Sequence, residues 1–390
     1  KIFFFFPFKS IMADHHHHHH HHSTRRRYLF LKDTKTAFVV LCTIIASMIL
    51  LYVEPVQGNV IKMRVCSWNL LAQEYIKEYK YPWLKQSPEY LEWEYRKSLI
   101  VDTLLQQQHQ HRGTKTKTKL PDVVCIQEAQ VDLFSDLLAS LTPEFYGVIQ
   151  NVSSSHNVGT AVLIRNSCPV RIKRIESRSR ALIVTLEDKK KNTKTTTTSN
   201  NLLYLCSVHL DADRSFDPKE RKHHQDQRRN QLKSLLKRIN YHCKLDDSSI
   251  QDAPILVAGD FNMLRENPLH ASLTEGSVSP SAPVPLHDAY MEDELQQRRS
   301  IPLYHHNDDN NNNDMRTKAK NNDNGNCILK QLQKTYKGGA ILDYIWTSKK
   351  IKVVNTLLYH PGATSLSREQ WPSKTMPSDH LPIGIDIEWN

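Results

Sequence analysis

Six short segments of this sequence carry side chains that can hold a cation, move a proton or bind a phosphate oxygen where an apolar run begins or ends. "CSWNLLAQ" supplies Asn69, "VVCIQEAQ" Glu128, "CSVHLDAD" His209, "VAGDFN" Asp260 and Asn262, "LDYIW" Asp343, and "PSDHLP" Asp379 and His380. A single Asp beside an apolar run is ordinarily a turn residue. Six such segments in one chain instead suit metal-assisted attack on a phosphate ester. That chemistry needs charge neutralised on the phosphate, a water made nucleophilic and the leaving oxygen stabilised. Residues i and i+2 of an extended strand point the same way, so within "ILVAGDFNML" Asp260 and Asn262 are expected on one side and Phe261 on the other.

The elements that must position these groups are read from periodicity. "IKMRVCSWNL", "VVCIQE", "GTAVLIR", "ALIVTLE", "LLYLCSVHL", "ILVAGDFN", "AILDYIW" and "PIGIDIEW" are strand candidates. "SPEYLEWEYRKSLIVDTLLQQQ" and "VDLFSDLLASL" read as helices. In "DQRRNQLKSLLKRINY", Leu232, Leu235, Leu236 and Ile239 fall at i, i+3, i+4 and i+7, the stripe of a helix that covers a sheet. Many strands with helices between them predict an α/β fold, a four-layered sandwich of two mixed β-sheets flanked by helices, with the site where strand ends converge. Three polar, compositionally biased segments near 106–119, 188–201 and 305–326 are expected as disordered insertions in one catalytic domain spanning 60–390. The seven cysteines are odd in number and lack a CxxC pair, which argues for buried thiols over a zinc site.

The ordered set W-N-x-L-A-Q, C-x-Q-E, H-L, G-D-F-N, L-D-Y-I and S-D-H-L-P resembles the endonuclease/exonuclease/phosphatase (DNase I-like) superfamily. "WNLLAQEY", "LEWEYRKSLI", "PDVVCIQE" and "MPSDHLPI" resemble its deadenylase and nocturnin branch, with coverage from Lys62 to Trp389. The resemblance implies an Mg2+-dependent phosphodiesterase, with Mn2+ as an alternative ion. Glu128 would be the main metal ligand, Asn69 would sit beside it through its carbonyl oxygen, and Asp379 would approach the metal directly or through water. One or two carboxylates suffice for Mg2+, which keeps several of its waters. By the same resemblance Asp260 orients or deprotonates the attacking water and Asn262 donates to the phosphate oxygens. His380 and His209 contact the phosphate, and Asp343 orients an imidazole, that of His380. Read only as residues, His209 also fits a hydrogen-bonded core histidine, and Asp379 a turn cap. Tyr336, in "TYKGGAILDYIW", either stacks on a substrate base or packs in the core; this sequence has extra residues between its Lys-Gly and Asp343.

Outside the domain, residues 1–36 read as a tail carrying a His run, and residues 37–53 as an uncharged signal anchor or signal-peptide core preceded by Arg and Lys. That arrangement predicts a membrane partner if the segment is uncleaved, and a catalytic domain in the secretory pathway or on the non-cytosolic side. The net charge of +11 permits a phosphate-bearing partner without requiring one. A monomer is expected. The leading expectation is a 3′–5′ exoribonuclease acting on RNA. Its rivals are a phosphatase or phosphodiesterase for a nucleotide or phospholipid, and an inactive phosphate-binding scaffold, which the full polar set disfavours.

Overall fold

The computed structural model describes residues 60–105, 120–152, 156–190, 201–213, 217–291, 335–337, 339–358 and 370–390. The tail, the hydrophobic segment over 37–53 and the insertions near 106–119 and 305–326 lie outside them, as do residues 191–200 of the third insertion. Among the described residues no helix is long and apolar enough to cross a membrane.

Among the described residues twelve strands form two sheets. The first holds β1 (Ile61–Asn69), β2 (Val123–Gln130), β3 (Phe145–Ile149), β4 (Val158–Arg165), β11 (Lys352–Leu358) and β12 (Ile383–Trp389), in the order β11-β12-β1-β2-β4-β3. The second holds β5 (Val170–Arg178), β6 (Ala181–Asp188), β7 (Leu202–His209), β8 (Ile255–Asp260), β9 (Leu286–Asp288) and β10 (Asp343–Ser348), in the order β5-β6-β7-β8-β10-β9. β1 pairs with β2, and β7 with β8, in parallel; the other neighbours are antiparallel. The expected two mixed sheets are therefore present.

β7 and β8 are apolar almost to their last residues because both of their faces are covered. Leu203 and Leu205 of β7 join the core between the sheets, while the alternate Tyr204 and Cys206 face the outer layer. That layer contains α3 (Pro218–Leu245), whose Leu232, Leu235, Leu236 and Ile239 are buried as their spacing predicts. Asp217 caps its start by accepting the Lys219 N–H at 2.7 Å, ahead of a proline at the first position. A short helix, α4 (Pro268–Glu275), adds to this layer. On the other side, α1 (Trp93–Leu104) and α2 (Val131–Leu141) bury Ile100, Phe134 and Leu137 against the first sheet. The layers are helix, sheet, sheet, helix. Five described cysteines, Cys66, Cys125, Cys168, Cys206 and Cys243, are buried free thiols, as expected.

Four strands had no counterpart among the expected elements: β3, β5, β9 and β11, which are the four edges of the two sheets.

Candidate active site

The two parallel pairs bring the carboxyl ends of β1, β2, β7 and β8 together, and β10 and β12, running antiparallel to β8 and β1, begin at that same end. Register does the rest: His209 lies opposite Asp260, and Asp260 opposite Asp343. The sheets are tied across this end by Ser207, whose hydroxyl donates to the Ile126 carbonyl at 3.0 Å and accepts from Gln127 Nε2 at 3.2 Å.

Glu128 sits in a break of the ladder. The β2–β4 register shifts between Ile126 and Ala129, and Glu128 takes a left-handed φ of 55° that turns it out of the pleat. Its carboxylate accepts from the Ala72 N–H at 2.9 Å and from Asn69 Nδ2 at 3.2 Å. Asn69 Nδ2 also donates to Asp260 Oδ2 at 3.1 Å, while Oδ1 accepts from the Leu71 N–H at 3.0 Å. With two carboxylates on one side and an N–H on the other, only this amide orientation satisfies every partner. This corrects the expectation for Asn69: its NH2 group, rather than its carbonyl oxygen, faces the carboxylates.

His380 donates from Nδ1 to Asp343 Oδ2 at 2.9 Å, and its Nε2 lies 3.7 Å from Asp260 Oδ2. The loop carrying it is pinned by the Ser378 hydroxyl, which donates to the Asn69 carbonyl at 2.7 Å, and by Trp68 Nε1, which donates to the His380 carbonyl at 2.9 Å. His209 Nε2 lies 3.8 Å from Glu128 and 3.7 Å from Asp260, so it belongs to the cluster. Asp379 pairs with Lys337 at 3.3 Å, and that ammonium sits 4.2 Å over the Tyr81 ring. Tyr336 packs its ring on His380 with centroids 4.9 Å apart, which brings the extra-residue loop to the site after all.

Asn262 departs from the simple alternation. The strand stops at Asp260, and Asn262 adopts φ 48°. Its N–H donates to Asp260 Oδ1 at 2.9 Å and its Nδ2 to the Leu210 carbonyl at 3.0 Å, so its carboxamide is turned toward the end of β7. Phe261 does point into the core, edge-on to Tyr344.

Arg96 was not among the expected site residues. It is fully buried and donates to the Pro377 carbonyl at 2.7 Å, to Gln73 Oε1 at 2.9 Å, to the Leu71 carbonyl at 2.5 Å and to the Leu70 carbonyl. It thus joins the loop after β1 to the loop before β12. The signal was present in the sequence: Arg96 precedes Leu99 and Ile100 by three and four residues, on the apolar face of its helix.

The cluster's electrostatics follow from burial and crowding. Burial, reinforced by the Asp343 charge, raises the Asp260 carboxyl to about 6, against the pull of His380 and His209. Burial and Asp379 raise Glu128 above the usual carboxylate range. Burial alone would lower His380, but the Asp343 and Asp260 carboxylates outweigh it and hold the imidazolium up to about 10. Burial and the carboxylates of Asp379, Asp260 and Glu128 push the Tyr336 phenol up to about 12.

These groups fit a divalent cation. Asp343 Oδ1 is buried with no hydrogen-bond partner, and Asp260, Asp343 and His380 bring candidate ligand atoms within 4.8 Å of one another. Within this trio His380 faces Asp343 through Nδ1 and Asp260 through Nε2, and an imidazolium has no lone pair to ligate with. Glu128 and Asp379, 13% and 10% exposed, are reached from solvent before Asp260 and Asp343, at 2% and 1%. A cation therefore meets the Glu128 side first.

Comparison with known proteins agrees with this geometry. The human nocturnin catalytic domain, solved with a bound sulfate, superposes with a TM-score of 0.51 at 20% identity over 86% of this chain and 98% of that one. ANGEL2, a 2′,3′-cyclic phosphatase solved with adenosine-2′,3′-vanadate, gives 0.54 at 17% identity over 85% and 96%. The fold is that of the endonuclease/exonuclease/phosphatase superfamily. By sequence the chain is 23% identical to Drosophila melanogaster nocturnin over 368 residues, 86% of this chain. The resemblance drawn from the ordered motifs, to this superfamily and its nocturnin-like branch, is thus borne out. The chain spans 47% of the length of the fly protein. No protein-family model matches it.

Proposed function

We propose that this chain is a divalent-metal phosphodiesterase that hydrolyses RNA from its 3′ end. One observation carries the reading: the buried His380 ring is held between the Asp343 and Asp260 carboxylates at 2.9 and 3.7 Å, within a cluster of carboxylates at converging strand ends. Mg2+, or Mn2+ in its stead, would be held on the Glu128 and Asp379 side, where it would supply charge neutralisation on the phosphate. Asp260, titrating near neutrality, is suited to take a proton from the attacking water. His380 would donate to a phosphoryl oxygen as negative charge develops there, with Asp343 fixing its tilt and protonation. Asn69 holds the Glu128 and Asp260 carboxylates apart through one NH2 group. His209 and Asn262 flank the same space, and Tyr336 walls it over His380. Likeness to nocturnins and to ANGEL2 supports a nucleotide-bearing substrate.

The ANGEL2 complex favours one variant of this reading, a 2′,3′-cyclic phosphate at an RNA 3′ end, itself a diester that the same residues could open. The test incubates the full chain and an Asp260→Ala, Asn262→Ala variant with Mg2+ or Mn2+ against oligo(A), mixed-sequence RNA, RNA ending in a 2′,3′-cyclic phosphate, and sphingomyelin. Shortening of RNA from its 3′ end by the wild type alone supports the exonuclease reading. Opening of the cyclic end without shortening supports the variant. Turnover of the lipid alone overturns both.

A further inference from the structure

We infer that α3 and the β5–β6 turn form a cationic track for the single-stranded body of an RNA whose 3′ end occupies the site; the inference rests on the nuclease reading above. α3 carries nine Lys and Arg against two acidic residues, Glu220 and Asp226, far from the mixed charge of a merely solvated face. Lys222, Arg229, Lys233 and Lys237 follow one another at seven, four and four residues, which keeps them on one stripe. At about 1.5 Å rise per residue, the last three stand roughly 6 Å apart along the axis. Lys222, Arg229 and Lys237 are exposed and Lys233 half-buried. Neighbouring Arg238 is committed to Glu176 at 2.5 Å, whereas these four form no ion pair among the described residues.

The stripe is joined to the site. The His209 N–H donates to the Arg180 carbonyl at 3.0 Å, so the β5–β6 turn abuts the end of β7 that carries a site histidine. From that turn Arg178 reaches α3, donating to Ser234 Oγ at 3.2 Å between Lys233 and Lys237. Arg178 also pairs with Glu176 at 3.7 Å and Arg180 with Asp211 at 3.4 Å, but their side chains remain 44% and 40% exposed. Cationic side chains therefore continue from the rim of the site onto the helix, where the four unpaired ones lie. A row of cations leading away from a phosphodiester site matches a chain of phosphates. The same spacing continues into Tyr241 and Leu245, 46% and 51% exposed; one aromatic ring and one leucine at the helix end give a bilayer little to insert, so an anionic lipid surface is the lesser fit.

The test compares the full chain with an Arg229→Gln, Lys233→Gln, Lys237→Gln variant, each checked for the wild-type melting curve. Binding of a labelled mixed-sequence RNA of about 20 nucleotides is measured in EDTA, so that no cleavage intervenes, between about 50 and 200 mM salt. Single-strand binding loses about 0.7 of slope in log K against log salt for each phosphate neutralised, so the variant should be shallower by about 2 and bind at least tenfold more weakly. Equal slopes and affinities overturn the track. So does loss of binding to phosphatidylserine vesicles with RNA affinity unchanged, which would make the face a lipid surface. If the slope responds but the wild type cleaves no RNA with metal restored, the track stands and the nuclease reading falls. If both proteins cleave RNA alike with equal slopes, the reading stands and the track falls.

Discussion

Replacing Arg96 by Met tests whether the two loops at the site are held by one buried cation. The guanidinium satisfies three backbone carbonyls and Gln73 Oε1, none of which gains another donor when it is removed. At about 1.5–2 kcal/mol for each acceptor stranded, the gross loss is roughly 6–8 kcal/mol. Part is returned, because burial holds the Arg96 guanidinium down to about 10 despite Asp379, Tyr81 and Glu128 nearby. That depression, at about 1.4 kcal/mol per tenfold, is a cost of roughly 3 kcal/mol that Met does not bear. The net is about 4 kcal/mol, in the range for removing one member of a buried charged network. The melting temperature should fall by roughly 8 °C or more. Turnover should fall further than stability explains, because the Ala72 N–H that positions Glu128 lies in the released loop. Arg96→Lys should recover little, since an ammonium cannot span the same fork of acceptors. Calorimetry and a single-turnover assay on both variants decide it. An Arg96→Met protein that melts within about 2 °C of wild type and turns over normally would refute the argument.

Three other outcomes follow from named contacts. In metal-free protein, Asp343→Asn removes the carboxylate 2.9 Å from His380, so the imidazolium should be lost by about pH 8 instead of near 10, followed by its ring carbon resonance; an unmoved titration would exclude Asp343 as its support. Gly259→Ala should abolish folding, because φ is 151° and a Cβ would lie 1.9 Å from the Val208 carbonyl oxygen in the adjacent strand; a soluble, normally melting variant would contradict this. Asp246, 2% exposed, pairs with Lys173 at 2.6 Å and Arg174 at 3.2 Å. Burial would raise its carboxyl, but the bonds from those cations hold it below the usual range. Its contribution is therefore full above the unfolded value of about 3.9 and disappears as pH falls through the lower folded value, so Asp246→Asn should cost about 1–3 kcal/mol at pH 7 and almost nothing near pH 2, read by urea unfolding at each pH.

What the sequence made legible divides along the sheets. Strands with two partners read either as apolar runs, as β7 and β8 do, or as apolar residues alternating with polar ones, as β12 does, and each was expected. The edges did not: β5 half-buries Ile172 but exposes Arg171, Lys173 and Ile175 around a register shift, and β9 spans only Leu286–Asp288. The site residues were legible as types, since six polar-ended segments in one chain exceed what turns alone require, although any one of them would read as a turn. Their geometry was less so, because it turns on local backbone departures. Glu128 and Asn262 both take left-handed φ, and strand alternation has no means of announcing that. Asn69 was misoriented for the same reason: its amide is set by Leu71 and Asp260, which only the folded chain brings to it. Tyr336 and Lys337 could be assigned to the site only once their loop was seen to cross His380 and Asp379.

The charge at the strand ends explains why this corner needs so much scaffolding. Four carboxylates, those of Glu128, Asp260, Asp343 and Asp379, lie where burial disfavours ionisation, and the raised Asp260 and Glu128 carboxyls register that conflict. An apolar isostere at any of these positions would relieve it, so stability alone does not account for the cluster. The protein answers with fixed cations on the periphery, Arg96 beneath the loops and Lys337 beside Asp379, and with His380 at the centre. None of these forms an ion pair with Glu128 closer than His209 at 3.8 Å, and there the carboxylate is less covered than Asp260 and the backbone takes a left-handed φ. Residues kept in such strained, mutually repelling positions are a mark of sites where binding supplies the missing charge. The less covered negative charge thus lies on the Glu128 side, where the proposed cation would add the charge that the scaffold does not supply.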